Sequence, residues 1–275
     1  MNSIYHFFKN LCDNRESFVK IKKLGNFPFD KKMLSCRNDG VFPDMAIRLN
    51  SDKSLFTGGE LIELKDSDSY TVSSFNSTIP TGKKEIAKIV TSENSIIKQQ
   101  MENAGNNILS LPTRDVFYLI RGKHNGKIKV CLVHGSFFET LKIDELIQQS
   151  FGQVLEERLK EIDEQISDEW KKKLLSIFSQ QENFSRVRNV DKASVKLRFR
   201  IMTEVKVEGN ILNSKKYPEI GDNTLNFLLP LHDNADEMEY MKKLKIVFDR
   251  DFQTIKNFKI KHLLNGYFKV FQTDI

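Results

Sequence analysis

Two carboxylates and an ammonium group stand in the sequence at positions that a pair of strands can bring together. Asp44 begins the alternating part of one stretch, Val41–Leu49, and a second stretch, Glu60–Lys65, follows two glycines. Successive side chains of a strand point to opposite faces, so Glu63 and Lys65 share one face of the second stretch. A short polar segment between the stretches predicts a hairpin-type pairing. We therefore expect Asp44, Glu63 and Lys65 to meet at one edge of a sheet.

This trio has the composition of a magnesium site that acts on phosphate. The carboxylates of Asp44 and Glu63 and the backbone carbonyl of Leu64 are hard oxygen ligands, which Mg²⁺ prefers while it retains several waters. Such a metal lowers the pKa of a bound water and neutralises charge that develops on the leaving oxygen. An ammonium is a poor ligand for Mg²⁺. We therefore expect Lys65 to orient the attacking water and to stabilise the pentacovalent phosphate.

A structural interpretation of the same residues stays open. Glu-x-Lys is common on strands, and two charges at this spacing on a solvent face need no function. The upstream Pro43-Asp44 pair favours the catalytic interpretation. So does the net charge of +6, which suits a polyanionic partner.

The elements around the trio predict an α/β protein of the α+β kind, with a central mixed β-sheet flanked by helices. Asn125-Gly126 predicts a tight turn between two strands, and Asn265-Gly266 predicts a second hairpin near the C-terminus. Asp13 and Glu16 have the spacing of a capping box before a second helix. Helical periodicity covers 3–23, 83–104 and 143–166 and continues from 168, and strands are predicted over 116–121, 128–134 and 195–201.

Length and composition set the outer limits. The 275 residues predict a core with a helical extension over 1–184 and a β-rich DNA-contacting C-terminal region over 185–275, which can also belong to the same domain. Cys12, Cys36 and Cys131 are odd in number and far apart, so they predict neither a disulfide framework nor a zinc site. No stretch approaches the roughly 20 apolar residues of a membrane span. We expect a cytoplasmic protein with no membrane partner.

Pro43-Asp44 followed by Glu63-Leu64-Lys65 resembles the PD-(D/E)XK nuclease superfamily, and specifically its type II restriction endonucleases. The resemblance covers Phe42 to about Thr78, and less specifically the strand pair up to Gly135. It implies a restriction-endonuclease-like core. One departure is the helix predicted over 83–104, between the hairpin and the next strand.

The resemblance also implies roles for individual residues. Asp44 and Glu63 would ligate the metal, and Lys65 would be catalytic. Families of this kind often add an acidic residue from the first helix, for which Glu16 is the candidate beside its capping role. A DNA methyltransferase is the implied biological companion.

We expect from these observations a type II restriction endonuclease that uses Mg²⁺ to cleave duplex DNA at a short specific sequence. A homodimer is expected, because a two-fold protein matches a palindromic site, and the helix from Ile143 is the candidate interface. The alternatives are a repair, recombination or nicking nuclease of the same superfamily, a non-catalytic DNA-binding protein, and an RNA-directed nuclease.

Polar and basic side chains outside the trio are candidates for contact with DNA. The first group follows the catalytic strand, the second stands at the predicted start of a helix, and the third alternates along a predicted strand. A plain surface loop and a solvated sheet edge are the structural alternatives for the first and third groups. The three groups are Ser73, Ser74, Asn76, Ser77 and Thr78; Lys83 and Lys84; and Lys196, Arg198 and Arg200.

Overall fold

The computed structural model divides the chain into two compact units. The first comprises Met1–Ser74, Pro80–Glu139 and Glu204–Ile275, and the second comprises Phe75–Ile79 and Thr140–Thr203. Among the described helices, none is long and apolar enough to cross a membrane. The residues that the structure describes are 3–37, 42–48, 58–72, 75–76, 80–90, 95–103, 111–139, 143–162, 166–178 and 202–275.

Both units contain strands and helices. The described strands, in chain order, are β1 (Leu34–Arg37), β2 (Met45–Ile47), β3 (Leu61–Ser67), β4 (Phe75–Asn76), β5 (Lys83–Glu85), β6 (Thr113–His124), β7 (Lys127–His134), β8 (Met202–Thr203), β9 (Thr224–Leu231), β10 (Lys256–His262) and β11 (Gly266–Asp274). The described α-helices are α1 (Ser3–Asp13), α2 (Ser17–Lys20), α3 (Ile86–Ile89), α4 (Ile96–Asn103), α5 (Ile143–Glu161), α6 (Asp168–Phe178) and α7 (Asn234–Phe248).

The first unit is built on one mixed sheet. Nine of the described strands belong to it, in the order β1-β2-β3-β6-β7-β9-β11-β10, with β5 pairing with the start of β6. The β3–β6 and β7–β9 pairs are parallel, and the other pairs are antiparallel. The prediction of a central mixed sheet flanked by helices is therefore confirmed.

Helix α1 covers one face of this sheet together with the end of α7. Its apolar side chains are buried. The Phe8 ring lies 5.0 Å from the ring of Phe227 and 5.6 Å from that of Phe248. Burying a side chain of this size contributes about 1.5–3 kcal/mol. Ile62 of β3 belongs to the same core, so Glu63 and Lys65 necessarily face the opposite side of the sheet.

The two predicted tight turns are present. Asn125 and Gly126 have positive φ values of 49° and 75° between β6 and β7, and Gly266 begins β11 with a φ of 80°. In the second unit, α5 and α6 occupy the two helical segments predicted there, and β4 pairs with β8.

The helix predicted over 83–104 is wrong at its start. Lys83–Glu85 pairs with residues 113–115 as β5, α3 has four residues, and α4 begins only at Ile96. The gain from ladder hydrogen bonds with a distant strand outweighs the helical periodicity here. The C-terminal strands also join the central sheet, through β7–β9. By contacts, residues 204–275 belong to the first unit.

Gly135 lies where the chain leaving β7 passes the backbone of Thr81. A Cβ at Gly135 would lie 1.9 Å from the Thr81 carbonyl oxygen. Gly135→Ala is therefore expected to lower the free energy of unfolding by about 1–3 kcal/mol, because one of the two backbone segments must move. Urea unfolding measures this loss.

Gly221→Ala is the matched control. Its Cβ would meet only Thr224 Cγ2 at 3.5 Å, an ordinary contact. Equal losses for the two substitutions would contradict the steric argument. The close approach of Gly135 to Thr81 matters because the backbone at Thr81 leads directly into β5.

Candidate active site

The antiparallel pairing of β2 with β3 brings Asp44 beside Glu63. Met45 pairs with Ile62, so one further step of the register sets Asp44 opposite Glu63. The Leu64 amide donates a hydrogen bond of 2.7 Å to Asp44 Oδ2. Asp44 and Glu63 are both buried, with 8% and 9% of their surface exposed. The two carboxylates thus lie on the same face of the β2–β3 pair and are shielded from water.

Pro43 explains why the ladder opens at this point. Paired residues of an antiparallel ladder exchange hydrogen bonds at every second position, and the Ile47 amide donates to the Glu60 carbonyl at 2.9 Å. Extending the register places Pro43 opposite Leu64. Proline has no amide hydrogen to donate to the Leu64 carbonyl, and the Leu64 amide is bonded to Asp44 instead. The Leu64 carbonyl is therefore directed toward the chain at Pro43, next to Asp44.

The Glu63 carboxylate is only half satisfied. Lys65 Nζ donates to Glu63 Oε1 at 2.9 Å, and the two side chains are 17% and 11% exposed. Glu63 Oε2 is buried and has no hydrogen-bond partner among the described residues. An unsatisfied buried polar atom is costly, so one at this position calls for a ligand.

Lys84 is a second cation near the Glu63 carboxylate. It lies on β5 opposite Arg114, and its Nζ is 4.4 Å from the centroid of the Phe42 ring. Burial lowers the pKa of Lys84 to about 8, while the charge of Glu63 acts in the opposite direction. Because Lys84 lies on a strand, its predicted place at the start of a long helix is wrong. Lys83 is exposed on the other face of β5, where its charge acts on Asp115.

Tyr118 lies behind the carboxylates. It stands opposite Glu63 in the parallel register of β3 and β6 and is fully buried. Burial raises the pKa of its phenol, and the charge of Glu63 adds to this rise, so Tyr118 stays neutral. No motif in the sequence marks this residue, and a tyrosine within an apolar strand was the available signal.

The donor set fits a hard divalent cation. Asp44 and Glu63, whose Oε2 has no partner among the described residues, offer oxygen donors from opposite positions of the β2–β3 register, and the Leu64 carbonyl follows Glu63 directly. No group of three or more His, Cys, Asp or Glu side chains suited to a metal occurs in the described part of the chain. A cation held here would therefore keep several waters, as Mg²⁺ does in proteins.

Glu16 does not make the capping contact predicted for it. It is exposed at the start of α2, and its side chain makes no capping hydrogen bond, so the capping hypothesis is wrong. The acidic residue that meets the first helix is Glu60 instead. It accepts hydrogen bonds from Ser3 Oγ at 2.7 Å and from the Ile4 amide at 3.2 Å. A carboxylate at a helix N-terminus is stabilising, so Glu60 positions α1.

The remaining DNA-contact predictions fall largely beyond the described ranges. Asn76 lies in β4. The others outside the described residues are Ser73, Ser74, Ser77, Thr78, Lys196, Arg198 and Arg200.

Comparison with protein-family models, curated proteins and solved structures finds no match for this chain. The resemblance to PD-(D/E)XK nucleases therefore depends on the motif residues alone.

Proposed function

We propose that this chain is a magnesium-dependent endonuclease that hydrolyses phosphodiester bonds of duplex DNA at a short specific sequence. The observation that carries the proposal is the buried Glu63 Oε2, which has no partner among the described residues. Glu63 also stands opposite the buried carboxylate of Asp44 in the register of β2 and β3. A pair of buried carboxylates repel each other, and a divalent cation relieves that repulsion.

The chemistry assigns a task to each residue. Asp44, Glu63 and the Leu64 carbonyl would hold Mg²⁺, which lowers the pKa of a bound water and offsets charge on the phosphate oxygens. Lys65, whose ammonium donates a hydrogen bond to Glu63 Oε1, would position the attacking water. In the hydrolysis a water would form the new bond to phosphorus and lose a proton to solvent, the bond from phosphorus to the leaving oxygen would break, and the leaving oxygen would take up a proton from solvent. Tyr118, which is buried and neutral, would exclude water from its side of the carboxylates.

Duplex DNA, a second copy of the chain and a companion DNA methyltransferase are proposed partners. The net charge of +6 supports a polyanionic substrate. A homodimer supplies one active site to each strand of a palindrome, and α5 is the proposed interface. A monomeric mass by light scattering, with and without DNA, would remove the dimer from the proposal.

Incubation of purified protein with plasmid and phage DNA tests the proposal. Wild-type protein is expected to produce discrete, reproducible fragments with Mg²⁺ and none with EDTA. Asp44→Ala is expected to produce none under either condition, because it removes a metal ligand and the partner of the Leu64 amide.

Three other outcomes would change the assignment. Cutting that depends on branched or nicked DNA would favour a repair or recombination nuclease. Preferential cutting of RNA would favour an RNA-directed enzyme. Equal DNA binding by both proteins without any cleavage would favour a non-catalytic DNA-binding protein.

A further inference from the structure

The ammonium group of Lys84 is a charge that the described residues leave without a direct partner. Its nearest described features are the Phe42 ring at 4.4 Å and the electrostatic field of Glu63. No hydrogen bond or ion pair to Lys84 Nζ occurs among the described residues. A partly buried ammonium with three unused donors is unfavourable unless an anion completes it.

Lys65 differs from Lys84 in this respect. Its ammonium is bound to Glu63 Oε1 at 2.9 Å and therefore already neutralises one carboxylate. Lys84 interacts with the same carboxylate only through space. Its ammonium also makes a cation–π contact with the ring of Phe42, which precedes the Pro43-Asp44 pair. The site thus combines one paired cation and one cation still open to an anion.

Strand alternation places only one lysine of the pair at the site. Lys84 pairs with Arg114 of β6, four residues before Tyr118 and on the same face, whereas Lys83 pairs with Asp115 on the opposite face. The control is Lys88 of α3, an exposed lysine that pairs with Glu85 at 3.5 Å and belongs neither to the site nor to the proposed DNA contacts.

We propose that Lys84 binds a nonbridging oxygen of the phosphate that is cleaved, as a second catalytic cation beside Lys65. This inference rests on the proposed nuclease function and adds to it a phosphate-binding group that the Asp-Glu-Lys motif does not contain. The phosphate supplies the anion that Lys84 lacks, and the position of Lys84 beside Glu63 keeps that phosphate next to the carboxylate pair.

The experiment compares Lys84→Met with Lys88→Met, since methionine preserves the length and the apolar contacts of the lysine stem. Single-turnover cleavage of a DNA fragment is measured with Mg²⁺, and binding of the same fragment is measured with Ca²⁺. Lys84→Met is expected to cut about 10²-fold more slowly, as for loss of a group that stabilises developing charge. Its Kd for DNA should change by less than about threefold, because most affinity comes from other phosphates. Lys88→Met should stay within about threefold of wild type in both assays.

A titration with Mn²⁺ provides a readout that does not depend on cleavage. Lys84→Met removes a positive charge near Glu63, so Mn²⁺ is expected to bind about three- to tenfold more tightly, while Lys88→Met should bind it as wild type does. Lys84→Arg keeps the charge and is expected to retain cleavage within about tenfold of wild type.

The outcomes separate the two proposals. If wild-type protein cuts DNA and Lys84→Met matches Lys88→Met in rate and in Mn²⁺ affinity, Lys84 has no such role and the nuclease assignment stands. If wild-type protein cuts no DNA, the nuclease assignment fails and the phosphate role fails with it. Circular dichroism confirms that each variant is folded before its rate is interpreted.

Discussion

Glu63→Gln is expected to reduce the rate of DNA cleavage by about 10³-fold or more and to abolish the stabilisation of the protein by Mg²⁺. Glutamine has almost the same shape as glutamate, and its amide oxygen can still accept the hydrogen bond from Lys65 Nζ. The atom that changes is the buried Oε2, which becomes an NH₂ group and can no longer ligate a cation. The substitution therefore tests the one unsatisfied atom on which the proposed function depends.

Thermal unfolding separates loss of the metal from loss of the fold. A ligand that binds only the folded protein, at ten times its Kd, stabilises it by about 1.4 kcal/mol. Wild-type protein should therefore unfold at a higher Tm with Mg²⁺ than with EDTA, whereas Glu63→Gln should unfold at one Tm in both.

Glu85→Gln is the control for this prediction. Glu85 is an exposed carboxylate of β5, and its ion pair with Lys88 is 3.5 Å long and exposed to solvent. Its loss should leave both cleavage and the Mg²⁺ response intact. An Mg²⁺-dependent rise in Tm that persists in Glu63→Gln would show that the cation binds elsewhere.

The central part of the site could be predicted from the sequence because it depends on local rules. Strand alternation puts Glu63 and Lys65 on one face, and the short connection brings Asp44 beside them. Lys84 could not be placed in the same way. Its neighbourhood depends on the pairing of β5 with residues 113–115, and no local pattern in Lys83–Glu85 distinguishes that strand from a helix start.

The same limit applies to the fold. Helix α1 and the β6–β7 hairpin were predictable from periodicity and from the Asn125-Gly126 turn. Strand β9 is buried along most of its length and lies parallel to β7. A continuous apolar run of this kind shows no alternation, because both faces of the strand are covered. Its parallel partner β7 also precedes it by 95 residues, so no turn indicates this pairing.

Arg121 connects this fold to the strand that carries the site. Its side chain is fully buried on β6, and the guanidinium uses all five of its N–H donors. Two hydrogen bonds, of 2.9 and 2.7 Å, reach the carboxylate of Asp66, the residue directly after Lys65. The other three reach backbone carbonyls in the segment that follows α1, at Phe18, Ile21 and Lys22.

Arg121→Met is therefore expected to lower the free energy of unfolding by about 3–5 kcal/mol, because it removes the buried cation that pairs with Asp66 and three hydrogen bonds to backbone carbonyls. Arg121→Lys should also be strongly destabilising, since an ammonium cannot reproduce a planar fork that binds Asp66 through two bonds. Lys123→Met is the control on the same strand and face. Lys123 also donates to the Lys22 carbonyl, but it is partly exposed, so its loss should cost less than about 1 kcal/mol.

The pH dependence of the Arg121→Met effect provides an independent check. Burial alone would raise the pKa of Asp66, but hydrogen bonds from Arg121 and from the Leu24 amide, with the charge of Arg121, hold it below its ordinary value. A carboxyl whose pKa is lower in the folded protein stabilises it fully above the unfolded pKa of about 3.9 and loses this stabilisation as the pH falls through the folded value. The difference in unfolding free energy between wild type and Arg121→Met should therefore be constant from neutral pH to about pH 5 and narrow below it. A difference that stays constant at lower pH would mean that the backbone carbonyls, and not Asp66, account for the contribution of Arg121.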